Sequence, residues 1–325
     1  MQTLSRKTAR MWSRLGQRGT ICGVALPEML EERSDCYILT ADLGTTSGLS
    51  RVMQQQPERF VNVGIAEQNL IGVAAGLAFE GNVVFATTFA TFLTMRGYEQ
   101  IRHNLGYQKA NVKLIGSAAG FAMGMFGNSH YSYEDIAIMR SIPNMMVISP
   151  ADAGEAYLAA YMALEHDGPV YIRLSGGLNA PVVYTEPYAF APGRAVWLRE
   201  GKDVALIATG GMTADALEAA KRLEADGIQA AVLHMHTIKP LDTDALYACS
   251  GYGLVVTIEE HSVIGGLGSA AAEYFMEQER KPRQIRIGIQ DTFVRPGGHA
   301  YVRQENGLDA AGISQRVKAA VSEGV

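Results

Sequence analysis

The chain has 325 residues, 48% of them hydrophobic and 19% charged, and a formal net charge of −5. That composition is ordinary for a soluble globular protein of two domains, and the negative balance argues against a nucleic-acid binder, which carries a basic face. No apolar run approaches the roughly eighteen residues that a membrane span needs, so neither nucleic acid nor membrane is expected as a partner.

The first 27 residues carry Arg6, Lys7, Arg10, Arg14 and Arg18 and no acid. Organellar transit peptides share that pattern, but Leu4, Met11, Trp12 and Leu15 predict a basic helix that docks and leads directly into the fold. Short β-rich runs follow at 36–40, 83–87, 112–116, 145–149 and 170–174. Helical stretches at 92–105, 134–140 and 155–166 separate the later ones. Gly176, Gly177, Pro181, Pro187, Pro192 and Gly193 then break the pattern. A second unit has strands at 203–209, 229–235 and 254–259 and helices at 214–225 and 266–277. Alternation of this kind predicts an α/β protein of two domains, 1–191 and 192–325, each a mostly parallel sheet flanked by helices.

The stretch Gly64-Ile65-Ala66-Glu67-Gln68-Asn69 opens a helix that is apolar or small on nearly every side, which predicts burial. A carboxylate at its front is costly without a partner. Two readings stay open: an acid favoured by the helix dipole, or a group aimed at a closely packed interface or ligand, since Gly72, Ala74, Ala75 and Gly76 admit a near backbone. Asp42, Phe89, the loop 116–130 and Leu174-Ser175 lie at the carboxyl ends of predicted strands, where open parallel sheets bind ligands.

Metal chemistry has no sequence signature here. Of the seven histidines only His234 and His236 stand close, alternating along a strand without Cys or carboxylate neighbours, and they read as structural. The three cysteines, Cys22, Cys36 and Cys249, have no metal or redox spacing and fit a reducing cytoplasm. Thr209-Gly210-Gly211-Met212 joins a strand to a helix, as a phosphate cradle or simply as a tight turn.

Several motifs occur in one order: Ala41-Asp42-Leu43, Gly64-Ile65-Ala66-Glu67-Gln68-Asn69, Thr87-Thr88-Phe89-Ala90-Thr91-Phe92, Glu134-Asp135-Ile136-Ala137, Ser149-Pro150-Ala151-Asp152, Lys239-Pro240-Leu241-Asp242 and Glu259-Glu260-His261-Ser262. As a set they resemble the C-terminal half of transketolases, and the corresponding part of 1-deoxyxylulose-5-phosphate synthases, over nearly the whole chain. The resemblance implies a pyrimidine-binding domain followed by a transketolase C-terminal domain. The Gly-Asp-Gly motif by which the family holds the cofactor diphosphate through a metal is absent from this sequence. The chain therefore looks like the C-terminal subunit of a split transketolase. Its partner would be an N-terminal subunit holding the diphosphate and a Mg²⁺ or Ca²⁺ ion, in a heterotetramer of two copies of each.

The implied cofactor is thiamine diphosphate, and the implied reaction moves a two-carbon ketol unit from a ketose to an aldehyde. The reactive tautomer of its aminopyrimidine forms when ring nitrogen N1′ is protonated or strongly hydrogen-bonded. The resemblance assigns that bond to Glu67, pyrimidine stacking to Phe89, the same pocket's lining to Phe92, and a place near the cofactor to Asp42, for which turn capping is the alternative. His130 matches the histidine that contacts the donor ketose and the reacting oxygen. Around the substrate the chain departs from the family. Phe126 stands where an acid binds an acceptor hydroxyl, Ala118 where a histidine contacts phosphate, and Gly176 where an arginine follows Leu174-Ser175. Arginine is the preferred bidentate phosphate ligand, so an acceptor that is unphosphorylated, apolar or carrier-bound is expected, unless a partner supplies the cations. Ser175 and Phe126 are expected to line the substrate channel with His130. The rival readings are a deoxyxylulose-phosphate synthase-like or 2-oxoacid dehydrogenase β-like acyl transfer, or a catalytically silent scaffold.

Overall fold

A computed structural model describes residues 1–323. The chain enters through the helix Arg6–Thr20. Ser5 starts it: its Oγ accepts from the Thr8 amide while the Thr8 hydroxyl accepts from the Ser5 amide. Leu4 and Trp12 dock as expected, and the Trp12 ring stacks on Tyr157 at 4.5 Å. Met11 and Leu15 do not; they are 46% and 40% exposed. The 3.6-residue repeat puts the buried Ala9, Trp12 and Gly16 on one stripe, with Met11 and Leu15 about 90° or more from its centre.

The first sheet is built from β1 (Cys36–Thr40), β2 (Phe60–Asn62), β3 (Val83–Phe89), β4 (Val112–Ala119), β5 (Met146–Ile148) and β6 (Val170–Ser175). The second is built from β7 (Val196–Arg199), β8 (Val204–Ala208), β9 (Ala230–His234), β11 (Leu254–Ser262) and β12 (Arg283–Ile289), while the intervening β10 (Thr237–Lys239) crosses back to pair antiparallel with β5. Strand orders are β10-β5-β6-β4-β3-β1-β2 and β12-β11-β8-β9-β7. All pairings are parallel except those of β10 and of β7 with β9. This is the two-domain, mostly parallel α/β architecture that the alternation predicts.

Alternate residues of each strand face opposite helix layers. Along β3, Val84 and Ala86 pack with Leu70, Ile71 and Ala74 of the helix Glu67–Phe79. Val83 and Phe85 face the other way, toward Trp12, Ala156 and Tyr157. The predicted helix over 92–105 is instead three short pieces, Phe92–Arg96, Tyr98–Gln100 and Ile101–Tyr107, with wider turns at both ends. Gly97 sits at the break, where a Cβ would lie 2.9 Å from the Leu93 carbonyl oxygen.

A dry polar cluster joins the two sheets. Glu155, on the helix Ala153–Glu165, accepts from the Tyr188 hydroxyl and the Ala151 amide, each at 2.5 Å. His234, closing β9, lies 3.5 Å from the Glu155 carboxyl and bonds the Tyr184 hydroxyl at 2.9 Å. Burial pushes the Glu155 carboxyl up from 4.5 to about 8, and holds His234 well below the usual histidine range. Two neutral groups therefore meet at neutral pH. Unfolded, Glu155 loses its proton near pH 4.5; folded, it keeps it to about pH 8. Between those values the folded state binds more protons, so this group makes stability fall as pH rises, with no further change above about 8. Urea midpoints measured from pH 5 to 8 should fall less in Glu155→Gln than in the parent chain; equal slopes would refute the assignment.

Candidate active site

Parallel strands deliver their carboxyl ends to one edge, so the residues that follow them converge. Phe89 pairs in register with Ser117, and Ala119 with Ser175, which lines up the ends of β3, β4 and β6.

Glu67 begins the helix Glu67–Phe79 and is only 6% exposed. Its Oε1 accepts from Arg96 Nη1 at 3.0 Å, and the Arg96 guanidinium lies 4.0 Å over the Phe92 ring. Its other oxygen meets no donor among the described residues. The helix behind it is not covered on every side, as its sequence suggests. Gly72, Gly76 and Phe79 face outward, and nothing lies within 4 Å of a Cβ placed at either glycine. The sequence pattern reads as burial because glycine and alanine carry no polar mark, yet among the described residues that face has no covering element.

A cavity of about 190 Å³ opens in front of the carboxylate, walled by Phe89, Phe92, Leu43, Ile65, Ala41 and Thr88, with Asp42 at its rim. Asp42 has a left-handed backbone (φ 58°), held by its amide donating to Asn62 Oδ1 at 3.0 Å. It caps no helix: Leu43 occupies the N-cap of Gly44–Ser47, without a side-chain bond. His130 hangs from the loop after β4. Its ring centroid is 5.2 Å from Phe92, 6.1 Å from Phe89 and 4.8 Å from Phe126, and its Nδ1 is 2.9 Å from Ser129 Oγ. One aromatic wall thus serves both the carboxylate and the imidazole. Phe126 is 62% exposed and covers the outer face of His130.

Ser175 stands apart from this group. It lines a second cavity of about 130 Å³ with Ala118, Met123, Gly176 and Arg18. Gln17 fixes it there: its side-chain oxygen accepts from the Ser175 amide at 2.8 Å, and its Nε2 donates to the Pro150 carbonyl at 2.7 Å. Arg18 is the residue that sequence reasoning missed, having been grouped with the docking arginines. Gly16 is the signal that could have found it. Its positive φ (70°) turns the helix at that point, against Gly177, whose carbonyl oxygen would be 2.4 Å from an added Cβ. Arg18 is thereby aimed into the cavity whose walls at 118 and 176 bear no charge. Arg96 was missed too, since nothing local to it marks a partner for Glu67.

The remaining sequence candidates are structural. His234 and His236 are buried in the interdomain cluster, and among the described residues no group of three His, Cys, Asp or Glu side chains is arranged to hold a metal. Thr209-Gly210-Gly211-Met212 is a tight turn. Its Thr209 and Gly210 amides donate to the Ile258 and Ser149 carbonyls at 3.2 and 3.1 Å, so neither is left for an anion.

Residues 18–180 match the family model for the transketolase pyrimidine-binding domain, and residues 193–313 match that for the transketolase C-terminal domain. The chain belongs to the transketolase family. It is 45% identical to the 6-deoxy-6-sulfo-D-fructose transketolase subunit SqwH of Clostridium sp. (strain MSTE9), over 89% of each chain. It is 39% identical to a putative transketolase C-terminal section of Methanocaldococcus jannaschii, over 91% of this chain and 93% of that one. A solved structure described as a split gene transketolase, inactive beta4 tetramer, superposes with a TM-score of 0.86 at 44% identity, covering 95% of this chain and 99% of the other. The transketolase family implies thiamine diphosphate. The cavity fits its aminopyrimidine half: aromatic and aliphatic walls suit a flat ring, and the free oxygen of a buried carboxylate suits a ring nitrogen.

Proposed function

We propose that this chain is the pyrimidine-side subunit of a two-chain transketolase that moves a two-carbon ketol unit from a ketose to an aldehyde. The observation that carries this reading is the Glu67 carboxylate, 6% exposed at the back of an aromatic cavity that shares its Phe89–Phe92 wall with His130. Thiamine diphosphate, when bound, supplies the carbon nucleophile. Glu67 would hold the ring nitrogen of its pyrimidine, and Phe89 and Phe92 would fix the ring plane and exclude water. Asp42 would sit beside the cofactor at the cavity rim. His130, at the same wall, would donate to the oxygen of the reacting carbonyl.

A partner subunit would hold the diphosphate and a Mg²⁺ or Ca²⁺ ion. Ile65, Met125, Phe126 and Leu178 are each more than 60% exposed around the two cavities, and that is the apolar rim a partner would cover. The names of the similar subunits support a divided enzyme. Two copies of each chain form the assembly we expect, and the three buried free thiols suit a reducing compartment such as the cytoplasm. The Gly-Ile-Ala-Glu-Gln-Asn form of the Glu67 motif favours ketol transfer over a 2-oxoacid dehydrogenase β-like acyl transfer, and the retained Glu67, Phe89 and Phe92 argue against a silent scaffold. Release of carbon dioxide from pyruvate by the reconstituted pair would support the acyl-transfer reading.

Glu67→Gln, assayed in the reconstituted pair, should lower kcat by about 100- to 1,000-fold, the usual loss when a preorganised hydrogen-bond group is removed. Full activity of that variant would sink the reading in favour of the scaffold.

Arg18 bears on the substrate. Adjacent strands lie about 4.8 Å apart, so the end of β6 is roughly 10 Å from that of β3, a span that an extended sugar can cross. We place the far, anionic end of the substrate against Arg18 and the Ser175 hydroxyl, which restores one cation to a channel where 118 and 176 carry none. Arg18→Ala should raise KM for a sugar with a terminal phosphate or sulfonate by about 10-fold or more, a loss of about 1.4 kcal/mol or more of charge-assisted binding. It should leave KM for an uncharged sugar unchanged. An equal effect on both substrates would remove Arg18 from the site.

A further inference from the structure

The C-terminal domain sits outside both cavities, yet it grips the loop that carries His130. That loop is closed at its neck, where Gly120 and Ser132 exchange both backbone hydrogen bonds, at 2.6 and 3.1 Å. At the neck the Glu260 carboxylate, at the end of β11, accepts from the Phe121 amide at 2.7 Å. It presses so closely on Gly120 that an added Cβ would lie 2.1 Å from Glu260 Oε1. Further round the loop, the Gly297 amide donates to the Gly124 carbonyl at 3.0 Å, and Asn128 Nδ2 donates to the Val294 carbonyl at 2.8 Å. From inside, the Tyr131 hydroxyl donates to the same Gly124 carbonyl at 2.7 Å. The loop is therefore braced at three points by residues of the other sheet's domain.

Glu260 is itself fixed. His299 Nε2 lies 3.1 Å from both of its oxygens, and Arg303 Nε is 3.3 Å from Oε2. Burial would raise this carboxyl, but His299 and Arg303 outweigh burial and hold it down to about 2. A charged, buried acceptor with fixed partners is a stiff post rather than a mobile side chain.

We propose that Glu260 is a positioning residue of the active site: it sets the His130 loop against the Phe89–Phe92 wall, which makes the C-terminal domain a working part of catalysis. This rests on the reading of His130 as a substrate-contacting group. A loop tip displaced by an ångström at a reacting carbonyl costs rate far more than binding.

The test uses Glu260→Gln, which keeps the side chain's shape and removes its charge, with Asn128→Ala as a second variant that leaves no buried charge unpaired. Two readings are taken: amide hydrogen exchange of the full chain alone, and kcat and KM of the reconstituted pair. The expected result is exchange about 10-fold faster across 121–131 with β11 unchanged, and kcat lower by about 10- to 100-fold with KM within about 3-fold. Unchanged exchange in the loop for both variants would overturn the brace. Faster exchange with unaltered kcat would overturn the positioning role, while Glu67→Gln in the same assay tests the wider reading separately. Should Glu260→Gln not fold, Asn128→Ala decides by the same two readings.

Discussion

A guanidinium cannot be left dry and unpaired, and Arg173 is 2% exposed. Its satisfaction organises the meeting of the two sheets. From β6 it reaches the Asp135 carboxylate at 2.8 Å, at the start of the helix Asp135–Arg140. Its Nη2 donates to the Ser132 carbonyl at 3.2 Å and to the Glu260 carbonyl at 2.8 Å. Tyr171 completes the set by donating to Asp135 at 2.7 Å. Four segments are thus required at one point: two strands from different sheets, a helix start, and the base of the His130 loop. Removing either member of the ion pair would strand the other in a low-dielectric interior. The loop's departure point is therefore set by a charge balance as well as by its own contacts.

The architecture was largely legible because its dominant signal is local. Short β-branched runs separated by helical stretches specify a parallel sheet wherever they occur, and Cys36–Thr40, Val170–Ser175 and Val204–Ala208 read as strands from their own residues. What escaped notice depended on partners distant in sequence. Phe60–Asn62 and Thr237–Lys239 are three-residue strands at the two edges of the first sheet. Neither is long enough to show a period, and each exists because a neighbouring edge offers bonds. The strand Arg283–Ile289 and the end helix Ala310–Glu323 differ from these: Ile285, Ile287 and Ile289 alternate, and Ile313, Val317 and Ala320 recur at helical spacing, so both carry a local period.

The candidate site divides along the same line. Glu67, Phe89, Phe92 and His130 were nominated by motif, and the fold brings them around one aromatic wall. Ser175 was nominated with them and lies two strands away, because β4 separates β3 from β6. Arg18 and Arg96 carry no motif. One is aimed by a glycine with positive φ, the other by a break in a helix at Gly97. Backbone geometry of that kind is written in the positions of glycines, but its consequence for a neighbouring side chain emerges only in three dimensions.

The pair of Glu67 with Arg96 shows how a buried acid can be stable in a single chain and still be open to exchange. The two ends of the pair have unequal needs. Arg96 is 51% exposed and stacked on Phe92, so water and the ring satisfy it whether or not the carboxylate is present. Glu67, at 6% exposure, depends on a donor from the protein or from something in the cavity. A second donor entering beside Phe89 would meet the oxygen that Arg96 leaves unpaired, and Arg96 itself would lose little if displaced. An acid held from both sides by buried partners, as Asp135 is held by Arg173 and Tyr171, could not be approached in this way. The contrast separates a carboxylate that holds the fold together from one that keeps an oxygen unpaired, among the described residues, beside a cavity.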